Sequence, residues 1–138
     1  RRIASPFNQV LCVMNERPNA QVFRGECHCG ELKFEATATP EVLVDCNCTL
    51  CRRISPLWGH MHKSDFRVIR DESTIEYVQG DRTLTLHTCG KCGCTTHWEG
   101  IAPASDGVGV NFRMCEPEVL GLFRIRKFDG ADTWKFID

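Results

Sequence analysis

The sequence predicts an all-β domain, and three observations carry that prediction. Apolar and polar residues alternate with a period of two at Leu32, Phe34 and Ala36, at Leu84 and Leu86, and at Val108, Val110 and Phe112. That alternation is the signature of half-buried strands. No stretch shows a 3.6-residue periodicity long enough for a packed helix. Eight of the ten cysteines fall in three tight groups between strand-like segments, where they would form knuckles joining short strands.

The elements follow in chain order. Residues 1–21, with Pro6 and Pro18, read as an N-terminal arm docked on or fraying from a single domain over 22–138. Cys12 in the arm reads as a small buried hydrophobe. Phe23 to Glu26 leads into Cys27-His28-Cys29-Gly30, and the strand through Leu32, Phe34 and Ala36 follows and ends before Pro40. Val42 to Val44 is a short apolar run that feeds the central cysteine cluster. Leu57 to His62 is a strand. Phe66 to Ile69 and Ile75 to Val78 are two more, joined by a polar turn at Asp71-Glu72-Ser73. Leu84 to His87 alternates again and runs into Cys89-Gly90-Lys91-Cys92-Gly93-Cys94, a knuckle whose glycines let N–H groups turn toward a metal-bound sulfur. Thr95 to Trp98 and Val108 to Phe112 are strands, Glu116-Pro117-Glu118 starts a short helical turn, and Phe123 and Ile125 open the last strand. The total is about eight to ten short antiparallel strands.

Net charge is −1 and charged residues are 25% of the 138-residue chain, which argues against nucleic-acid binding through bulk charge. No apolar run reaches the roughly 18–20 residues that span a bilayer, and Arg1-Arg2 is not followed by the apolar core of a secretory signal. Ten cysteines exceed ordinary usage. A disulfide framework would spread them over separate loops, whereas near neighbours make poor partners for one another and good ligands for zinc. Free thiols of this kind imply a reducing compartment, most simply the cytoplasm.

The centre of the chain is Cys46-Asn47-Cys48-Thr49-Leu50-Cys51, a C-x-C-x2-C run of three thiols in six residues. Three thiolates converge only if the backbone curls around something, and they fill three corners of a tetrahedral zinc site. An open fourth corner separates a catalytic zinc from a structural one. The simplest division of ligands puts Cys27, Cys29, Cys89 and Cys92 on one closed site and Cys46, Cys48 and Cys51 on a second. The second site's fourth position is left to water, to a substrate thiol, or to Cys94 folding back and closing it. His28 and His60 are conceivable ligands, and His62, His87 and His97 conceivable acid–base groups. His60 and His62 share one face of a strand just beyond the cluster, which makes them the pair to follow as proton-transfer groups. Arg52 and Arg53 read either as a solvated turn or as a cationic rim for a thiol-bearing ligand.

Gly25-Glu26-Cys27-His28-Cys29-Gly30-Glu31-Leu32-Lys33-Phe34 resembles the opening motif of the glutathione-dependent formaldehyde-activating enzyme family, which includes the centromere protein V domain. Cys46-Asn47-Cys48-Thr49-Leu50-Cys51-Arg52 resembles that family's C-x-C-x2-C-R core, and Cys89-Gly90-Lys91-Cys92-Gly93 its second knuckle. The resemblance extends to Phe128-Asp129-Gly130-Ala131-Asp132. It implies a β-tent fold with two zinc ions per chain, a structural one on Cys27, Cys29, Cys89 and Cys92 and a labile active-site one on Cys46, Cys48 and Cys51. It also implies a carbon–sulfur lyase that joins formaldehyde to glutathione as S-hydroxymethylglutathione. The expected partner is thus a small-molecule thiol, and a homodimer is possible. Lys63, Arg67 and Trp58, with Arg52 and Arg53, are the side chains on offer for glutathione. Two rival functions stand beside the enzyme: a non-catalytic zinc module that binds a macromolecule, and a thiol or metal sensor.

Overall fold

The structure is a computed structural model that describes residues 21–138. The expected arm, with Cys12, lies outside the described residues except for Gln21.

Ten strands make two sheets. β1 (Phe23–Glu26), β2 (Leu32–Ala36) and β5 (Phe66–Asp71) form the smaller one, in the order β1-β2-β5. The larger contains β3 (Leu43–Cys46), β4 (Trp58–His62), β6 (Thr74–Val78), β7 (Leu84–Cys89), β8 (Thr95–Gly100), β9 (Gly107–Asn111) and β10 (Ile125–Phe128). Its order is β10-β3-β4-β9-β8-β7-β6. Two four-residue helices, α1 (Cys51–Ile54) and α2 (Pro117–Leu120), interrupt the strands. The all-β expectation therefore holds, with one correction. β10 pairs parallel with β3, Phe128 opposite Cys46, whereas every other ladder is antiparallel. A parallel neighbour requires a long crossover rather than a tight turn, and here the chain from residue 47 to 124 supplies it.

The core lies between the sheets. Phe23, Phe34 and Ala36 from the small sheet meet Leu43, Leu57, Val108, Val110 and Phe112, all buried. Phe23 and Phe112 rings lie 5.4 Å apart, and Phe123 closes on both at 5.6 and 5.3 Å. Burying each such ring contributes on the order of 2–3 kcal/mol.

Strand periodicity gives the large sheet two working faces. On β4, Met61 packs on the core while Trp58 and His60 point the other way. On β9, Val108 and Val110 enter the core while Gly109 lies under the Trp98 indole of β8. A Cβ on Gly109 would stand 2.0 Å from the indole nitrogen, so only glycine lets Trp98 lie flat there. The outer face of the sheet is thereby left as a concave, aromatic surface.

Candidate metal centres

The first cluster joins the two sheets. Cys27 follows β1, Cys29 follows it by two residues, Cys89 ends β7, and Cys92 lies in the knuckle beyond. Their four sulfurs lie within 4.8 Å of one another. Cys27 to Cys29 is 3.7 Å and Cys29 to Cys89 is 3.5 Å. A zinc ion with four sulfurs at about 2.3 Å sets neighbouring sulfurs about 3.8 Å apart, so the thiols fit a tetrahedral ion. Backbone N–H groups aim at them: Leu32 N donates to Cys27 Sγ at 3.3 Å and Cys92 N to Cys89 Sγ at 3.5 Å. Cys27 and Cys89 are each 1% exposed.

Cys94 belongs to this end of the molecule. It packs against Cys27, Leu32 and Cys89, and its carbonyl accepts from Cys89 N. The alternative in which it folds back to close the second site is corrected: the β7–β8 hairpin holds it with the first cluster. His28 is exposed and joins neither group of thiols.

The second cluster is Cys46, Cys48 and Cys51, again with sulfurs within 4.8 Å. Cys46 ends β3 and Cys51 opens α1, so the curl between them is the start of a helix. Arg52 N donates to Cys48 O, Ile54 N to Leu50 O, and Ser55, in the left-handed region at φ 53°, donates to Cys51 O. The curl turns N–H groups inward: Cys48 N reaches Cys46 Sγ at 3.5 Å and Cys51 N reaches Cys48 Sγ at 3.3 Å. The Trp58 indole donates to Cys51 Sγ at 3.3 Å. Burial pushes the Cys46 and Cys51 thiols up. Burial also raises Cys48, but N–H groups of Cys51 and Leu50 outweigh it and hold that thiol below its usual range. No other cysteine among the described residues completes this group.

The last residues brace the cluster. Asp129 accepts from Asn47 Nδ2 at 3.0 Å and from Thr133 N and Oγ1, while Ala131 N donates to Asn47 Oδ1. The turn brings Gly130 so close that a Cβ would stand 2.6 Å from Cys46 Sγ and 3.2 Å from Cys48 Cβ. A side chain there would push into the thiols. The parallel pairing of β10 with β3 places this turn where it is.

The three thiols open into a cavity of about 550 Å³ on the outer face of the large sheet. Its walls include Trp58, Trp98, Phe128, Trp134 and Phe136, with His60 among them. Phe128 meets Trp134 at 5.4 Å and Phe136 at 5.3 Å, both edge-on. His60 lies 5.6 Å from the Trp98 ring, and the surrounding walls desolvate it and lower its pKa below 6.5. Both side chains are solvent-exposed, His60 at the cavity wall and His62 away from it, where Ser64 Oγ and Asp106 hold it, each at 2.8 Å. Of the two histidines on that face, only His60 reaches the cavity.

The remaining cations expected near a thiol ligand lie elsewhere. Arg52 and Arg53 are exposed on α1, and neither lines the cavity. Arg53 donates to the Thr49 carbonyl. Lys63 Nζ donates to Gly100 O at 2.6 Å, and Arg67 pairs with Glu35 on the small sheet. Phe128, Trp134, Phe136 and Gly130 were not marked as site residues by spacing. The one signal, for Phe128 and Gly130 alone, is the Phe128-Asp129-Gly130-Ala131-Asp132 resemblance; Trp134 and Phe136 lie beyond it.

A third grouping, His87, His97 and Glu99, lies on the opposite face of the sheet. The two imidazoles stack at 4.3 Å with planes 4° apart. Their in-plane lone pairs therefore run side by side and do not meet at one point. Burial, reinforced by His87, pushes the His97 pKa down to about 3 and keeps that ring neutral. Its Nδ1 pairs with Thr96 Oγ1 at 2.9 Å, while Nε2 has no partner among the described residues.

Against known proteins, a family model described as "Glutathione-dependent formaldehyde-activating enzyme" matches residues 22–119. A crystal structure of a protein from Rhodobacter sphaeroides is similar at a TM-score of 0.62 and 30% sequence identity, over 74% of this chain and 98% of that one. No described helix is long and apolar enough to cross a membrane.

Proposed function

The chain belongs to the glutathione-dependent formaldehyde-activating enzyme family, and on that footing we propose that it is a zinc-dependent carbon–sulfur lyase acting on adducts of thiols with small aldehydes. Glutathione and formaldehyde, joined as S-hydroxymethylglutathione, are the first pair to test. One observation carries the reading. The Cys46, Cys48 and Cys51 sulfurs converge at the floor of a cavity, and no fourth described cysteine closes the group. We assign Cys27, Cys29, Cys89 and Cys92 to a structural zinc and these three to an active-site zinc.

Bound there, zinc would supply Lewis-acid stabilisation of a substrate sulfur in its thiolate form. The chain does the rest. The N–H groups of Cys48 and Cys51 and the Trp58 indole fix the three ligand sulfurs. His60, neutral near pH 7, is the titratable group on the wall that can take the thiol proton or return one. In the synthetic direction the sulfur bonds to the aldehyde carbon, the carbonyl electron pair moves to oxygen, and that oxygen takes a proton. In the lyase direction the hydroxyl loses its proton as the carbon–sulfur bond breaks. Holding thiol and aldehyde together supplies much of the rate, since positioning replaces a bimolecular encounter.

One chain's described residues suffice to build the cavity, so the reading does not require a homodimer. We place the activity in the cytoplasm, where thiols stay reduced. The test is the rate of S-hydroxymethylglutathione formation and breakdown by the zinc-loaded protein, followed by NMR exchange. No acceleration over the uncatalysed rate, or equal acceleration by wild type and Cys48→Ser, rejects the reading for this pair.

A further inference from the structure

The walls of the cavity carry information about what enters it. Beyond the three thiols and His60, the described lining residues include no titratable side chain: no Lys, Arg, Asp or Glu among them. Five aromatic rings face the space instead, and aliphatic side chains such as Leu84 and Leu86 complete it with three uncharged polar residues, Gln79, Thr83 and Ser105. Two of the rings project at the mouth, Trp134 being 73% and Phe136 39% exposed. Exposed aromatic surface rimming a cleft is characteristic of an apolar ligand site.

Glutathione has two carboxylates and an ammonium group. A carboxylate that leaves water without a cationic or N–H partner is penalised. Of the cations around the cavity, Arg126 stacks 3.9 Å over the outer ring Phe136 and pairs with Asp138, Lys63 donates to Gly100 O, Arg53 to Thr49 O, and Arg67 pairs with Glu35. Size does not discriminate, since about 550 Å³ lies in the ordinary range for a drug-sized ligand. Charge does, since no lining side chain is a cation. Formaldehyde alone would leave most of the space unfilled, so the cavity is built for the substituent that a substrate brings.

Resting on the lyase reading above, we infer that the thiol–aldehyde adduct handled at Cys46, Cys48 and Cys51 carries an uncharged, apolar substituent of aryl or branched-alkyl size, packed between Trp58, Trp98 and the Phe128–Trp134–Phe136 cluster. The substituent can arrive on the thiol or on the aldehyde, and the reaction balances as before in either case.

All three tryptophans of the chain line this cavity, so intrinsic fluorescence reports on it directly. The zinc-loaded protein is titrated with benzyl mercaptan and, separately, with glutathione. Turnover is then measured for three adducts: benzyl mercaptan with formaldehyde, glutathione with phenylacetaldehyde, and glutathione with formaldehyde. Burial of a benzyl-sized group predicts at least about tenfold tighter binding of benzyl mercaptan than of glutathione. The same factor is expected in kcat/KM for the better of the two benzyl-bearing adducts, and which of them leads identifies the partner that carries the substituent. Trp98→Ala erases the preference; if that variant does not fold, Phe136→Ala at the mouth reduces it. Glutathione binding as tightly as benzyl mercaptan, with neither benzyl-bearing adduct exceeding glutathione with formaldehyde in kcat/KM, overturns the inference and leaves the lyase reading standing. Absence of turnover for all three adducts defeats the lyase reading, and the fluorescence order then decides whether the cavity selects apolar ligands.

Discussion

The two cysteine clusters use the same side chain for different ends, and the contrast lies in where their ligands come from. Cys27 and Cys29 sit 60 residues from Cys89 and Cys92. A metal there closes a long loop and pins the small sheet to the β7–β8 hairpin, so its binding free energy is folding free energy. Cys46, Cys48 and Cys51 lie within one curl of chain. That curl is already held by α1, by the Asp129 turn and by Trp58, so a metal there adds little to the fold. The first cluster buries Cys27 and Cys89; the second opens on a cavity. On the proposed assignment, distant ligands would make a staple, and local ligands braced by other elements would make a site that can lose and regain its metal without unfolding the chain.

The largest test of that contrast is Cys89→Ser. A structural zinc site in a small domain is worth about 10 kcal/mol or more, comparable to the whole stability of a domain. Cys89→Ser is therefore expected to lose cooperative thermal unfolding and near-ultraviolet dichroism altogether. Cys48→Ser should keep both, bind one zinc fewer, and lose thiol–adduct turnover on the order of a thousandfold. Equal damage to folding from the two substitutions would erase the distinction.

His60 probes the open cluster alone. It must be neutral to accept a proton, and desolvation keeps its pKa below 6.5, so the competent form dominates at pH 7. Activity is expected to be constant through neutral pH and to fall as pH drops through that lowered pKa. His60→Gln should remove this limb and reduce kcat about a hundredfold. Zinc content measured at each pH separates the limb from acid release of the metal. An unchanged pH profile in His60→Gln assigns the proton transfer to another group.

The local half of this architecture was legible in the sequence and the non-local half was not. Short spacings grouped the thiols, and the structure brings those same thiols together. Period-two alternation located β2, where burial alternates residue by residue, and also β7 and β9, although β9 is buried on both faces from Val108 to Asn111. β1 escaped notice because Gly25 leaves its alternation without an apolar side chain where the Phe34 ring fills the space. The far wall of the cavity was hidden because Phe128, Trp134 and Phe136 arrive through a parallel β3–β10 pairing. No local pattern announces a partner some 80 residues away. His60 and His62 looked equivalent by parity; Trp98 beside the one and Ser64 and Asp106 on the other separate them. Cys94 looked available to close the second cluster until the β7–β8 hairpin fixed its place beside the first.

The smallest effect is expected from Trp58→Phe, and it sharpens the comparison most. The phenyl ring keeps the aromatic wall of the cavity but has no N–H to offer Cys51 Sγ, which the indole reaches at 3.3 Å. A hydrogen bond to a charged acceptor contributes about 1.5–3 kcal/mol, so the second zinc should bind roughly ten- to hundredfold more weakly. Chelator competition reads this directly, with one metal leaving earlier than in wild type and the other at an unchanged concentration. The thermal midpoint should move little, since Trp58→Phe leaves Leu57, Phe112 and the four-cysteine staple in place. A shift in both metals together would mean that the clusters are coupled through the large sheet, and the division into staple and open site would fail. A shift in the second alone would show that a single indole N–H sets how firmly the open site holds its metal.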